Sequence, residues 1–222
     1  MKRKIAVVLA NGEPPSRSLM EKLTRDSIFL VCTDGAANLL SQTKVIPNLI
    51  IGDLDSISDE AKSFFNEKTT IVCKESQYAS DLEKALDACL DSGFDEVIVA
   101  GLKGGRVDHT LTNFAILAKY SEKLKIDYVD DEGYGLLCSK TRPSLDINTT
   151  KGTTVSLVPL VNTEGIKTSG LLYPLHNDTL GPGIREGLSN QAISNHIKLE
   201  ISTGCLFVYL NENIEDFSIL TD

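Results

Sequence analysis

The stretch Leu49-Ile50-Ile51-Gly52-Asp53-Leu54-Asp55-Ser56 decides how the chain reads. A short, unbroken apolar run gives way to glycine and then to two acids separated by one residue. Continuous apolar runs of this length suit strands covered on both faces, as in parallel sheets. Similar runs occur at Ile5–Ala10, Ile28–Thr33, Thr70–Val72, Glu96–Ala100 and Ile126–Val129. Helical patterns lie between them. Ser80-Asp81-Leu82-Glu83 has the form of a capping box, with Leu82, Ala85, Leu86, Cys89 and Leu90 at helical spacing behind it. Val107–Tyr120 carries Leu111, Phe114, Leu117 and Ala118 on one stripe. Alternating strands and helices predict an α/β domain with a mostly parallel sheet between helical layers.

After about Asp131 the pattern changes. Gly135–Ser139, Thr153–Pro159, Gly165–Leu172, Gln191–Ile201 and Cys205–Leu210 are short and rich in Thr, Ser, Val, Leu and Gly, with turn signals between them. This predicts a small antiparallel β-sandwich or barrel. The expected organisation is therefore an α/β domain over residues 1–131 and a β-rich domain over 132–222.

Composition narrows the function. The chain has 222 residues, 41% of them hydrophobic and 24% charged, so a packed core is expected rather than disorder. A formal net charge of −9 argues against nucleic acid as a partner. The five cysteines are scattered with no Cys-x-x-Cys pair, which points to a reducing, cytoplasmic setting rather than disulfides or zinc. The apolar run near Met1 reads as a strand rather than a signal peptide. No stretch approaches a membrane span.

Ligands of open parallel sheets bind beyond the carboxyl ends of the strands. The residues expected there are Asn11-Gly12, Asp34-Gly35, Asp53 with Asp55, Gln77 with Ser80 and Asp81, and the loop Gly101–Arg106 leading to Asp108 and His109. In an extended chain Asp53 and Asp55 point to one side, and adjacent carboxylates repel unless a cation neutralises them. Magnesium suits such a pair; so does an Asx turn capping the next helix. Asp81 alone is equally a helix-start acid, and Asp34 a turn residue. The glycines at 101, 104 and 105, with Lys103 and Arg106, suit phosphate, although neither the dinucleotide fingerprint nor the Walker pattern is present. His109 is as readily structural as catalytic.

Together these segments resemble the thiamine pyrophosphokinase family. The strings that carry the resemblance are Asp34–Asn38, Pro47–Ile57, Ser80–Leu86 and Gly104–Asn113, followed in order by Thr154–Leu160, Gly170–Leu175 and Ser189-Asn190. The resemblance implies an ATP-binding α/β/α domain followed by a thiamine-binding β-sandwich. It also implies a homodimer with thiamine between one chain's α/β domain and the other's sandwich. By position, it implies that Asp53, Asp55 and Asp81 hold magnesium and that Gln77 and Asp108 belong to the reaction centre, with Arg106 on the phosphates. ATP would be bound by Asp34, Gly35, Gly104, Gly105, Arg106 and His109, and the thiamine pyrimidine by Ser189 and Asn190. Three departures stand out: Ala36 where many members have a second glycine, Tyr78 where many have an acid, and no Trp anywhere.

Overall fold

The computed structural model describes residues 4–26, 29–75 and 78–212. The chain divides into two compact units, with the division between Ile116 and Leu117.

The first unit alternates as the apolar runs predict: β1 (Ile5–Leu9), α1 (Arg17–Asp26), β2 (Phe29–Thr33), α2 (Asp34–Thr43), β3 (Leu49–Gly52), α3 (Asp59–Phe65), β4 (Thr70–Cys73), α4 (Asp81–Asp91), β5 (Glu96–Ala100) and the start of α5 (Val107–Tyr120). The strands lie in the order β5-β1-β2-β3-β4, and every pairing is parallel. β1 and β3 are buried along their whole length, while β4 is partly exposed because it pairs on one side only. Helix α4 packs on β1, β2 and β3, and α2 packs on β2, β3 and α3. The chain leaves β1 toward β2 on one side and returns to β5 on the other. The carboxyl ends of β1 and β5 therefore flank a topological switch point, where such sheets open a crevice.

The second unit continues with β6 (Lys125–Val129), β7 (Tyr134–Cys138), β8 (Ser144–Asn148), β9 (Thr154–Pro159), β10 (Thr163–Ser169), β11 (His176–Leu180), β12 (Gly187–Gln191), β13 (His196–Glu200) and β14 (Leu206–Asn211). One layer runs β12-β9-β14-β7-β6 and the other β11-β10-β13-β8. The pairings are antiparallel, including β6 with β7. β8 and β13 bury every second residue, Leu145 and Ile147 against Ile197 and Leu199, as a sandwich face requires. The fold is an α/β/α domain with a mostly parallel sheet followed by an antiparallel β-sandwich.

Candidate active site

Four loops and a helix start converge beyond the carboxyl ends of the parallel strands. They line a cleft of about 1320 Å³ that includes Asn11, Gly12, Asp34, Asp53, Asp81, Lys84, Gly104, Gly105, Arg106 and His109. The loop after β1 and the loop after β5 are stitched together by Gly12 N–H donating to Gly101 O at 2.8 Å. Gly12 is required there, since a Cβ would collide with the carbonyl oxygens of Gly101 and Lys103. Asn113 on α5 donates to Leu102 O at 2.8 Å and fixes the same glycine loop from its other end.

Asp34 is the first residue of α2 rather than a turn residue, and it is 2% exposed. Its Oδ1 accepts from Gly35 N at 2.7 Å and its Oδ2 from Ser56 N at 3.4 Å. The backbone of β3 runs directly beneath it: a Cβ at Gly52 would stand 2.7 Å from the Asp34 Cγ. Burial raises the Asp34 pKa, and the charges of Asp81 and Asp53 add to the rise. One helical turn later, Asn38 donates to Ser56 O and accepts from Ser58 N, both at 2.8 Å. α2 thus supplies one acid to the cleft and clamps the loop that supplies the next.

That loop is not extended. Leu54 has φ of 66°, a left-handed conformation, and Asp55 N donates back to Asp53 Oδ1 at 3.2 Å. This is an Asx turn, and the amide of Asp55 holds the Asp53 carboxyl below its usual range. The turn separates the two acids. Asp53 faces Asp34 and Asp81, while Asp55 is exposed and accepts from Ser56 Oγ at 2.7 Å. Asp81 begins α4, whose capping box is complete: Ser80 Oγ accepts from Glu83 N and the Glu83 carboxylate accepts from Ser80 N.

The carboxylates of Asp34, Asp53 and Asp81 each offer an oxygen, and these oxygens lie within 4.8 Å of one another. Hard oxygen donors so placed fit a magnesium ion, which takes a few carboxylates and keeps waters or phosphate oxygens for the rest. At the N-cap of α2, on the cleft wall, the Thr33 hydroxyl is buried without a hydrogen-bond partner. A buried polar group left unsatisfied costs about 1–3 kcal/mol, a cost common where a ligand completes the site.

Arg106 and Asp108 are paired with each other, with Nη2 to Oδ2 at 2.5 Å, and both are well exposed. The pair lowers the Asp108 pKa and raises that of Arg106. His109 lines the cleft from the first turn of α5. Gln77 lies outside the described residues. In the second unit Ser189 and Asn190 sit on β12 at a register shift, with Ser189 at φ of 54°. Ser189 is exposed and its amide donates to Ser156 Oγ at 3.1 Å. Asn190 is 6% exposed. Its Oδ1 accepts from the amides of Tyr173 and Gln191, and its Nδ2 donates to Tyr173 O. Asn190 therefore anchors the loop that presents Tyr173, which is 68% exposed.

Sequence reading alone does not single out Asn38, Thr33 or Lys84. For Asn38 a signal was present: it stands four residues after Asp34, on the same face of a helix.

Comparison with known proteins is consistent across both units. Residues 20–128 match the family described as thiamin pyrophosphokinase, catalytic domain, and residues 142–206 the one described as thiamin pyrophosphokinase, vitamin B1 binding domain. The chain is 29% identical over 216 residues to Thiamin pyrophosphokinase 1 of Caenorhabditis elegans, covering 91% of this chain and 88% of that protein. It is 24% identical over 189 residues to the thiamine pyrophosphokinase of Bacillus subtilis, covering 83% and 88%. The crystal structure of the Bacillus subtilis enzyme superposes with a TM-score of 0.78 at 22% identity, over 93% of this chain and 98% of that one. That of the Candida albicans thiamin pyrophosphokinase gives 0.79 at 18% identity, over 95% and 92%. With its acid-lined unit matched by one half of that family and its strand-rich unit by the other, the chain belongs to the thiamin pyrophosphokinase family.

Proposed function

We propose that this chain transfers a pyrophosphoryl group from ATP to the hydroxyl of thiamine, giving thiamine diphosphate and AMP. The match of both halves to one enzyme family carries the reading, and the carboxylate cluster at the switch point supports its chemistry. The hydroxyl oxygen bonds to the β-phosphorus of ATP, the bond from that phosphorus to the α–β bridging oxygen breaks, and AMP leaves with the electron pair. In-line displacement of this kind depends mainly on positioning and charge neutralisation.

Asp34, Asp53 and Asp81 would hold magnesium, and Asp55, whose Oδ1 accepts from Ser56, would join them by reorienting its side chain. A magnesium ion held there would supply positive charge to offset that of the phosphate oxygens. The amides of Gly104 and Gly105 approach the phosphates, with His109 on the same cleft, while the buried Gly35 acts through the amide it donates to Asp34. Arg106 reaches them by releasing Asp108, which frees that carboxylate for the reaction centre, to which the family resemblance also assigns Gln77. Residues 1–131 serve as the ATP-binding catalytic part and 132–222 as the thiamine-binding part, where Ser189 and the exposed ring of Tyr173, held in place by Asn190, receive the pyrimidine. The exposed apolar side chains flanking that motif, Leu172, Leu188 and Ile193, support a homodimer in which a second copy covers them. Five free cysteines support a reducing cytoplasmic setting, and no helix among the described residues is long and apolar enough to cross a membrane.

The test is AMP release from ATP and magnesium with thiamine, with a hydroxymethyl pterin and with no acceptor. AMP with thiamine alone is expected. Asp53→Asn and Asp81→Asn should each cut turnover about a hundredfold or more, the scale of losing one electrostatic stabiliser of a transition state. Asn substitutes well in an Asx turn, so Asp53→Asn should fold by circular dichroism. Asp81→Asn also takes the charge partner from the buried Lys84, so it should melt lower, and its turnover is read at a temperature where circular dichroism shows it folded. Folded variants with wild-type turnover and magnesium dependence would remove the cluster from the mechanism. Binding of thiamine without AMP release would mark a sensor instead of an enzyme.

A further inference from the structure

Lys84 is the only buried basic residue among the described residues, at 4% exposure. It stands one helical turn after Asp81, and its ammonium donates to Asp81 Oδ1 at 2.8 Å. Its side chain is 5% exposed, against 34% for Asp81. Lys84 is thus no surface hook for phosphate, because its charge is directed inward onto the carboxylates that line the same cleft. Three carboxylates with oxygens within 4.8 Å of one another repel strongly in a partly desolvated site. An ammonium this deeply buried, in turn, is tolerated only when paired. Each charge explains the other.

We propose that Lys84 is a resident counter-ion that holds the acidic cluster together in the free enzyme and competes with a bare divalent cation for Asp81. Metal then enters mainly with its nucleotide, whose phosphates supply the ligands and the compensating charge that the cluster alone does not. Lys84 is on this account a positioning residue acting through Asp81. The inference rests on Asp34, Asp53 and Asp81 being the metal site.

Mn2+ binding to the nucleotide-free protein, followed by the electron paramagnetic resonance signal of free Mn2+, tests it. Lys84→Met and Lys84→Gln remove the charge, and Lys84→Arg keeps it. The first two should bind Mn2+ about tenfold more tightly than wild type, equivalent to about 1.4 kcal/mol, and Lys84→Arg should stay within about threefold of wild type. Mn2+ should also raise the melting temperature of the charge-removed variants more than that of wild type. If those variants are unstable without metal, recovery of folding on adding Mn2+ supports the proposal, and failure to recover overturns it. Unchanged or weaker Mn2+ binding in folded Lys84→Met and Lys84→Gln also overturns it. Asp53→Asn separates the two layers of the argument. If it leaves Mn2+ affinity unchanged, the metal reading itself fails. If it weakens Mn2+ binding while the Lys84 variants do not tighten it, only the counter-ion role fails.

Discussion

Asp34 and Asp55 are both acids beyond the carboxyl ends of the parallel strands, yet their surroundings differ. Asp34 is packed against Gly52, bonded to two amides and raised in pKa by burial, so it gains from a cation that offsets its charge. Asp55 is exposed and satisfied by its neighbour Ser56. Asp34→Asn keeps size and one of the two amide hydrogen bonds, and it should cut turnover about a hundredfold. Asp55→Asn should leave kcat within about tenfold of wild type and mainly raise the magnesium concentration needed for half-maximal rate. Initial rates of AMP release across a magnesium series read both; equal losses from the two variants would show that Asp55 is a full ligand in the loaded site. The sequence marks Asp53 and Asp81 as acids following a strand and opening a helix. It does not reveal that Leu54 adopts a left-handed conformation and turns Asp55 away, because that depends on the clamp from Asn38 on another helix. Nor does it reveal Lys84 as buried, since a lysine one turn into a helix reads as solvent-facing until the sheet beside it is placed.

Elements with continuous apolar runs were legible: the runs ending at Ala10, Thr33, Ile51 and Ala100 became β1, β2, β3 and β5 nearly to the residue. Strands β8, β11 and β12 were not, because only alternate or isolated positions in them are buried and their faces are largely polar. Gln191–Ile201 reads as one segment, but β12 ends at Gln191 and β13 starts at His196. The end of β14 depends on polar contacts of the same illegible kind. Glu212 accepts from Thr149 Oγ1 at 2.6 Å and from Thr150 N at 2.8 Å, tying that strand end to the turn after β8. Partial burial pushes the Glu212 pKa up, but the hydrogen bonds from Thr149, Thr150 and Thr153 outweigh it and leave the value below normal. A carboxyl depressed in the folded state stabilises above its unfolded pKa of about 4.3, and that contribution is lost as pH falls through the folded value. Glu212→Gln should therefore cost about 1 kcal/mol at neutral pH, a figure kept small because the carboxylate is partly solvated. The gap between variant and wild type should close as pH falls below about 4. Denaturant melts at pH 7 and below pH 4 measure it, and a gap that persists in acid would show that the contact does not depend on the charge.

For the whole molecule, the division of labour has a consequence that no single-chain property shares. The acidic cluster belongs to the first unit and the Ser189-Asn190 motif to the second. If each thiamine site in the proposed homodimer combines the first unit of one copy with the second unit of its partner, two different lesions can complement each other. Asp53→Asn disables the catalytic half of a site and leaves the sandwich intact. A double change of Ser189 and Tyr173 to Ala removes exposed groups from the sandwich and leaves the cluster intact. It also spares Asn190, whose buried hydrogen bonds would otherwise turn a binding test into a folding test. Each variant alone should be nearly inactive. After subunit exchange in an equal mixture, half of the dimers are mixed, and each mixed dimer has one site built wholly from undamaged halves. Activity should recover to about a quarter of wild type, a statistical limit for closed two-fold assemblies. Sites contained within one chain predict no recovery, since every chain carries one lesion. Light scattering on the same mixture completes the test: recovery should appear only where dimers are present, and a fully active monomer would refute the shared site.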